Sequence, residues 1–344
     1  MTARIRALRE SRGWTQQDLA VRAGVTRQLI GAVEVGRHAP NVDAALALAA
    51  ALGESVESLF AADRPVSTPV PVVGDKLPTP GTSATVVRIG TRTVIAPIHH
   101  GVEGSERWAV ADATMTAAGV SIFDDAKPDA LLVCGCDPAL GVLAGLVERV
   151  SVHRVVTVHA STGESIQALG AGRAHAALVH APPGQLPEPP VPVRRYRFAR
   201  WQVGLASGRA AGVPSVDELA ERRSRVVQRD AGAGSQQALS RALERIGSSR
   251  PLPGPVAEGH VDVARRVAAG AAVGVTMEAA ARSFALGFAP LEEHAVELWV
   301  DARWSSLPAA VAMVDVLNGT GLRTRLGLIG GYELSECGTE LVAG

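Results

Sequence analysis

The sequence predicts a multidomain chain, an all-α N-terminal domain followed by an α/β domain, on three observations. Thr15 to Arg37 reads as two short helices around a tight turn. Ala61 to Thr82 is so rich in proline that it cannot sustain a helix. From Asp129 onward strand, glycine loop and helix repeat, the pattern of a mostly parallel sheet. The chain of 344 residues is too long for one small domain. Its hydrophobic content of 47% supplies the material for real cores.

In the first stretch, Thr15 is placed to cap a helix, with Asp18 putting a carboxylate in the first turn. Leu19 and Ala20 point one way, and Gly24 stops the helix because glycine tolerates a left-handed backbone. Val25 plugs the turn and Thr26 caps a second helix. Leu29, Ile30 and Val33 give that helix an apolar seam. Two helices so joined leave the second free to enter a DNA major groove. The chain as a whole has no net charge, so affinity for nucleic acid has to be local. Residues 1 to 40 supply it, with seven arginines against Glu10, Asp18 and Glu34.

These residues resemble the Xre (lambda-repressor-like) helix-turn-helix domains. The resemblance runs from about Arg4 to Phe60, through Arg9-Glu10, Trp14-Thr15-Gln16, Leu19-Ala20, Gly24-Val25, Glu34, Gly36-Arg37, Pro40 and Leu59-Phe60. It implies that Arg27, Gln28 and Ala32 face base edges and that Gln16 and Arg37 meet phosphates. Thr26, at the start of the second helix, is counted with them. Arginine can pair with guanine and glutamine with adenine in the major groove, whereas phosphate contacts position without specifying. A protein-interaction module with a solvated arginine face is the bland alternative. Glu34 reads as a buried structural acid paired with Arg9.

The α/β part is preceded by a semi-extended linker, 63–82, and a short β-rich connecting segment, 83–122, with a hairpin turn at Gly90-Thr91-Arg92. His99 and His100 close one of its strands. Neighbours on a strand face opposite sides, so they do not read as a chelating pair. In the repeating units three loops place small polar residues where a helix begins: Cys136-Asp137, Ser161-Thr162-Gly163 and Gly232 to Ser235. Helix N-termini offer unpaired N–H groups and partial positive charge, and several on one cleft make an anion site. Each is otherwise merely a cap.

The same units resemble the periplasmic-binding-protein-like domains of the molybdate-binding kind. The resemblance runs over Gly135 to Leu140, Ala168 to His180, Phe198 to Leu205, Arg229 to Ser235, Gly259 to Ala271, Gly287 to Leu291 and Gly330 to Gly338. It implies a two-lobed α/β (type II) clamp over 123–344, with lobe I at about 123–205 and 291–344 and lobe II at about 206–290. The helix-turn-helix domain then spans 1–62. The implied ligand is a small oxyanion, molybdate or tungstate first. Cys136, Asp137, Ser161, Thr162, Gly163, Arg229, Gly234, Ser235, Thr276 and Tyr332 are the candidate ligand-binding residues. Three positions depart from the family. Cys136 stands where a hydroxyl is common, Ala272-Val273 where an acid is expected, and Gln228 where asparagine is expected.

Arg229 is suited to a bidentate anion contact or to a solvated strand end. Tyr332 suits a pocket cap or a core position. His175 and His180 flank a strand and read as structural, while His260 and Glu292 are placed to reach the cleft. Cys134 and Cys136 share a strand face, yet without further ligands at metal-site spacing they make no zinc motif. Cys136 as a nucleophile would need a base that the sequence does not designate. No metalloprotease, nucleophile-elbow or phosphate-loop motif occurs, so no cofactor and no enzymatic activity are expected.

Three cysteines, Cys134, Cys136 and Cys337, build no disulfide framework. No run approaches the ~18 apolar residues of a membrane span, which points to a cytoplasmic protein. The sequence thus reads as a ligand-responsive, homodimeric transcriptional regulator with operator DNA and a small effector as partners. A sensor of an organic metabolite, or an enzyme with an autoregulatory DNA-binding head, is the alternative.

Overall fold

The computed structural model describes residues 2–54, 56–60, 68–98, 110–248 and 250–341. Two compact units divide the chain, Met1–Ser67 and Thr68–Gly344. The first is helical: α1 (Thr2–Ser11), α2 (Gln16–Ala23), α3 (Arg27–Glu34), α4 (Val42–Leu52) and α5 (Val56–Phe60). Thr15 and Asp18 close a reciprocal capping box on α2, and Gly24 ends it at φ 62°. Thr26 caps α3 by accepting from the Leu29 N–H. Helices this short are marginal alone. They are held by a shared core in which Leu19, Ile30, Leu48 and Leu52 are fully buried, each contributing roughly 1.5–3 kcal/mol.

The second unit opens with β1 (Val70–Pro71), β2 (Ser83–Ile89), β3 (Arg92–Pro97), β4 (Ala113–Thr116) and β5 (Gly119–Ile122), which form a sheet in the order β1-β3-β2-β4-β5. The stretch read as a linker therefore belongs partly to this fold. Val70 and Pro71 pair with Val94 and Ile95, and Val72 is buried with Val87, Val94 and Leu132. Proline forbids helix but not a short edge strand. The β-rich segment is likewise the body of a sheet rather than a connector. Residues 61–67 of the linker and the pair His99-His100 lie outside the described residues.

The chain continues as β6 (Leu131–Gly135), α6 (Ala139–Val150), β7 (Val155–His159), α7 (Thr162–Gly170), β8 (Ala176–Ala181), β9 (Val193–Ser207), α8 (Val216–Arg222), α9 (Gly234–Arg245), α10 (His260–Ala268), β10 (Val273–Met277), α11 (Glu278–Ser283), β11 (Gly287–Asp301), α12 (Pro308–Asn318), α13 (Thr320–Ile329) and β12 (Glu340–Leu341). The sheet order is β10-β9-β11-β8-β6-β7, with β12 on β9. Among the named strands of this sheet, the β6 pairings with β7 and β8 are parallel. The strands β9, β10, β11 and β12 pair antiparallel. The expectation of a mostly parallel sheet is thus corrected. The two strands of 15 residues, β9 and β11, run the length of the sheet beside each other in opposite directions. Strand–helix alternation does not encode that reversal. A third strand expected near Val227 is reduced to isolated bridges with Gly274 and Val256.

Candidate functional site

In the helical unit, α3 presents its first residues outward: Arg27 and Gln28 are exposed, Thr26 is exposed beside them, Ala32 is half-buried and Arg37 is exposed. Gln16 is half-buried and its amide donates to Glu34 Oε2 at 2.9 Å. Glu34 itself is buried and accepts from Arg9 Nε at 2.6 Å and Nη2 at 3.1 Å. It is the internal acid the sequence suggested, and Arg9 also ties down the Trp14 carbonyl.

In the second unit a cleft of about 520 Å³ opens beyond the carboxyl ends of β6 and β7, where open α/β sheets place ligands. Cys136, Asp137, Ser161, Arg229 and His260 are among its lining residues. A larger groove of about 640 Å³ runs past Arg209, Arg282 and Ile329, but it holds none of the buried polar atoms that lack a partner among the described residues. Glycine shapes the cleft's floor: a Cβ on Gly135 would meet Leu140, Leu178 and the Leu178 carbonyl at 2.9 Å.

Arg229 is only 3% exposed, yet among the described residues its Nε and Nη1 have no hydrogen-bond partner, and neither does the buried Ser235 hydroxyl. Its single ionic neighbour among the described residues is Asp230, at 4.0 Å. The carboxylates around it are engaged elsewhere. Asp137 takes donations from Ala139 N at 2.9 Å, Trp201 Nε1 at 2.9 Å and Tyr332 Oη at 2.7 Å. Burial nonetheless raises its pKa against those three donors. Glu164 closes the capping box on Ser161, and Asp262 is clasped by Arg265 and Arg266.

The sequence-selected residues therefore separate. Cys136, Asp137, Ser161 and Arg229 border the cleft. Tyr332 holds Asp137 instead of bordering it. Thr162 is spent on the β8 backbone, donating to His180 O and accepting from His180 N. Thr276 donates to His260 O at 2.9 Å. Gly163 has open space around it, whereas a Cβ on Gly234 would meet His180 Cε1 at 2.9 Å and His294 Cε1 at 3.2 Å. Gly234 thus admits the imidazoles rather than a ligand. Glu292, placed by the sequence reading at the cleft, stands behind it.

Those imidazoles form a chain that sequence spacing did not reveal. Arg241 holds the Glu292 carboxylate with two guanidinium nitrogens. Burial opposes ionisation of Glu292, but Arg241 and His294 hold its pKa below the usual value. His294 Nε2 lies 2.7 Å from Glu292 Oε1, so that nitrogen carries the proton. Burial lowers the His294 pKa below its usual value against the pull of Glu292; with the proton on Nε2, its Nδ1 accepts from His180 Nδ1 at 2.8 Å. The remaining His180 nitrogen, Nε2, is then a bare lone pair, 2.9 Å from Cys136 Sγ. The same logic applies to His260. The Thr276 hydroxyl proton goes to a carbonyl, so its oxygen accepts from His260 Nδ1 at 3.4 Å and Nε2 is the lone pair. Burial, and then neighbouring cationic groups, hold both rings well below their usual pKa. Burial pushes the Cys136 thiol up to about 12.

A helix-turn-helix family profile matches residues 5–59 and a PBP (periplasmic-binding-protein) superfamily domain matches residues 144–318. An uncharacterized HTH-type transcriptional regulator of Methanothermobacter thermautotrophicus is 47% identical over 64 residues, 18% of this chain and 93% of that protein. Similar solved structures include a putative phosphate ABC transporter substrate-binding protein with bound phosphate from Clostridium perfringens, at 9% identity and TM-score 0.49 over 60% of this chain and 99% of that one. A reduced form of OxyR from N. meningitidis is similar at 15% identity and TM-score 0.43, over 59% and 97%. No described helix is long and apolar enough to cross a membrane. This chain belongs to the helix-turn-helix transcriptional regulators whose second unit is a ligand-binding domain of the PBP superfamily.

Proposed function

We propose that this chain is a homodimeric one-component regulator that binds a two-fold operator through α3 and senses a small oxyanion, molybdate or tungstate first, without chemical turnover. One observation carries the ligand reading: Arg229 is buried in the cleft wall with two guanidinium nitrogens unpartnered among the described residues. Leaving a buried polar group without hydrogen bonds costs about 1–3 kcal/mol, more for a charged one. A tetrahedral oxyanion supplies the acceptors, in the charge-assisted geometry arginine suits best. Ser235, whose buried hydroxyl is also unpartnered among the described residues, is not among the residues that line the cleft. For the absence of turnover, the support is the thiol. A nucleophilic cysteine works as thiolate, and burial pushes the Cys136 thiol up to about 12. Effector binding shifts DNA affinity only through unequal affinity for the DNA-competent and incompetent states.

The test is thermal unfolding of the full chain with molybdate, tungstate, sulfate and phosphate. At a hundred times its dissociation constant the effector adds about 2.7 kcal/mol. The shift is expected with molybdate or tungstate and lost in Arg229→Met. A response to an organic metabolite with silence from every oxyanion would discard the oxyanion and keep the regulator.

A further inference from the structure

Cys136, His180 and His260 are all buried, and their ligand atoms lie within 4.8 Å of one another. They come from three separate places: the loop after β6, the end of β8 and the first turn of α10. The hydrogen-bond network turns a lone pair of each ring toward the shared space. His180 is set by His294 and Glu292, and His260 by Thr276. Imidazoles that bind metal are oriented in this way, the far nitrogen donating to a carboxylate or another fixed acceptor. Neither ring needs that orientation to fill a core.

We propose that Cys136, His180 and His260 bind a thiophilic d¹⁰ ion, Cu(I), at a site distinct from the anion contact of Arg229. Soft thiolate with imidazole is a donor set for Cu(I) or Zn(II), and charge decides between them. Binding breaks the Cys136 S–H bond, releases that proton to solvent and forms a metal–sulfur bond. Cu(I) with one thiolate is then neutral. Zn(II) would leave a net positive charge buried beside Arg229, which lines the same cleft as Cys136 and His260, and an uncompensated buried charge is costly. Bonds of about 2.3 Å to sulfur and about 2.0 Å to nitrogen set such donors roughly 3.5 Å apart. The ion therefore replaces the 2.9 Å Cys136–His180 contact with a separation about 0.6 Å wider, and the cleft gives it a path in.

Titration of the full chain with Cu(I), under reductant and without oxygen, against the chelator bicinchoninate is the test. One Cu(I) per chain is expected, with the absorption edge of copper showing one sulfur and two nitrogen neighbours. Cys136→Ser and His260→Gln should each lower affinity roughly a hundredfold or more, and Glu292→Gln by about tenfold or more, while Cys134→Ala keeps it. Circular dichroism of each variant establishes that loss is not unfolding. Failure of the wild-type chain to hold Cu(I) against the chelator overturns the site. So does undiminished binding by Cys136→Ser, and tighter uptake of Zn(II) than Cu(I) overturns the ion. The molybdate shift is measured on Cys136→Ser as well. Its persistence, or its loss only in Arg229→Met, separates the fate of this site from that of the anion reading.

Discussion

Arg229 and His175 are both buried polar residues, and they differ in whether the fold completes them. Arg229 is left incomplete, which destabilises the ligand-free protein. Arg229→Met should therefore raise resistance to urea without ligand while abolishing the oxyanion shift, the trade expected where stability is given up for function. His175 is complete: its Nδ1 accepts from the Leu132 N–H at 3.0 Å, which requires a lone pair there. Burial lowers its pKa to about 4, against the opposing pull of Asp301. The folded state thus binds this proton more weakly than the unfolded chain. Its contribution is full above pH 6.5 and is lost as pH falls toward 4, at up to about 1.4 kcal/mol per pH unit. Urea midpoints between about pH 7 and pH 4 should fall less steeply in His175→Gln, which keeps an acceptor without titrating. An unchanged slope would show that the lone pair is not what burial protects.

Among elements, α2 and α3 were legible because their signals are local. Thr15, Asp18, Gly24 and Thr26 act on backbone groups within a few residues of themselves, and each sits where the caps are found. The buried Arg9–Glu34 pair was legible with the family resemblance, whereas the donation of Gln16 to Glu34 was not. That contact shows how α2 and α3 are locked together. Glu34→Ala removes the buried partner of Arg9 and leaves it, among the described residues, only the exposed Glu10 carboxylate at 3.3 Å, a loss of up to about 3–5 kcal/mol. That is most of a small domain's stability. Amide exchange in α2 and α3 should accelerate accordingly, while the sheet strands β6 and β8 keep their protection. Strand direction was not legible, and β9 and β11 show why. Both mix buried apolar residues with charged ones, but which way a strand runs depends on where its neighbour begins.

For the whole molecule, zero net charge conceals a basic N-terminal part, so DNA binding should weaken with salt in proportion to the phosphates contacted, at about 0.9 in log–log slope for each. Arg37→Ala should reduce that slope by about one, uniformly across sequences. Arg27→Ala should relax discrimination at one base pair by about 1–3 kcal/mol. A change in slope from Arg27→Ala with no change in specificity would put that residue on the backbone instead. By itself the sequence determined the capped helices of the first unit and the strand–helix alternation of the second. Both rest on short-range backbone chemistry and periodicity. Only the tertiary structure decided which polar groups were already satisfied. Thr162, Thr276 and Tyr332 are occupied within the fold, whereas Cys136 meets His180 and His260 from distant parts of the chain. Such meetings follow from sheet order and strand direction, which are set by apolar faces covering one another across the molecule and leave no mark on local spacing.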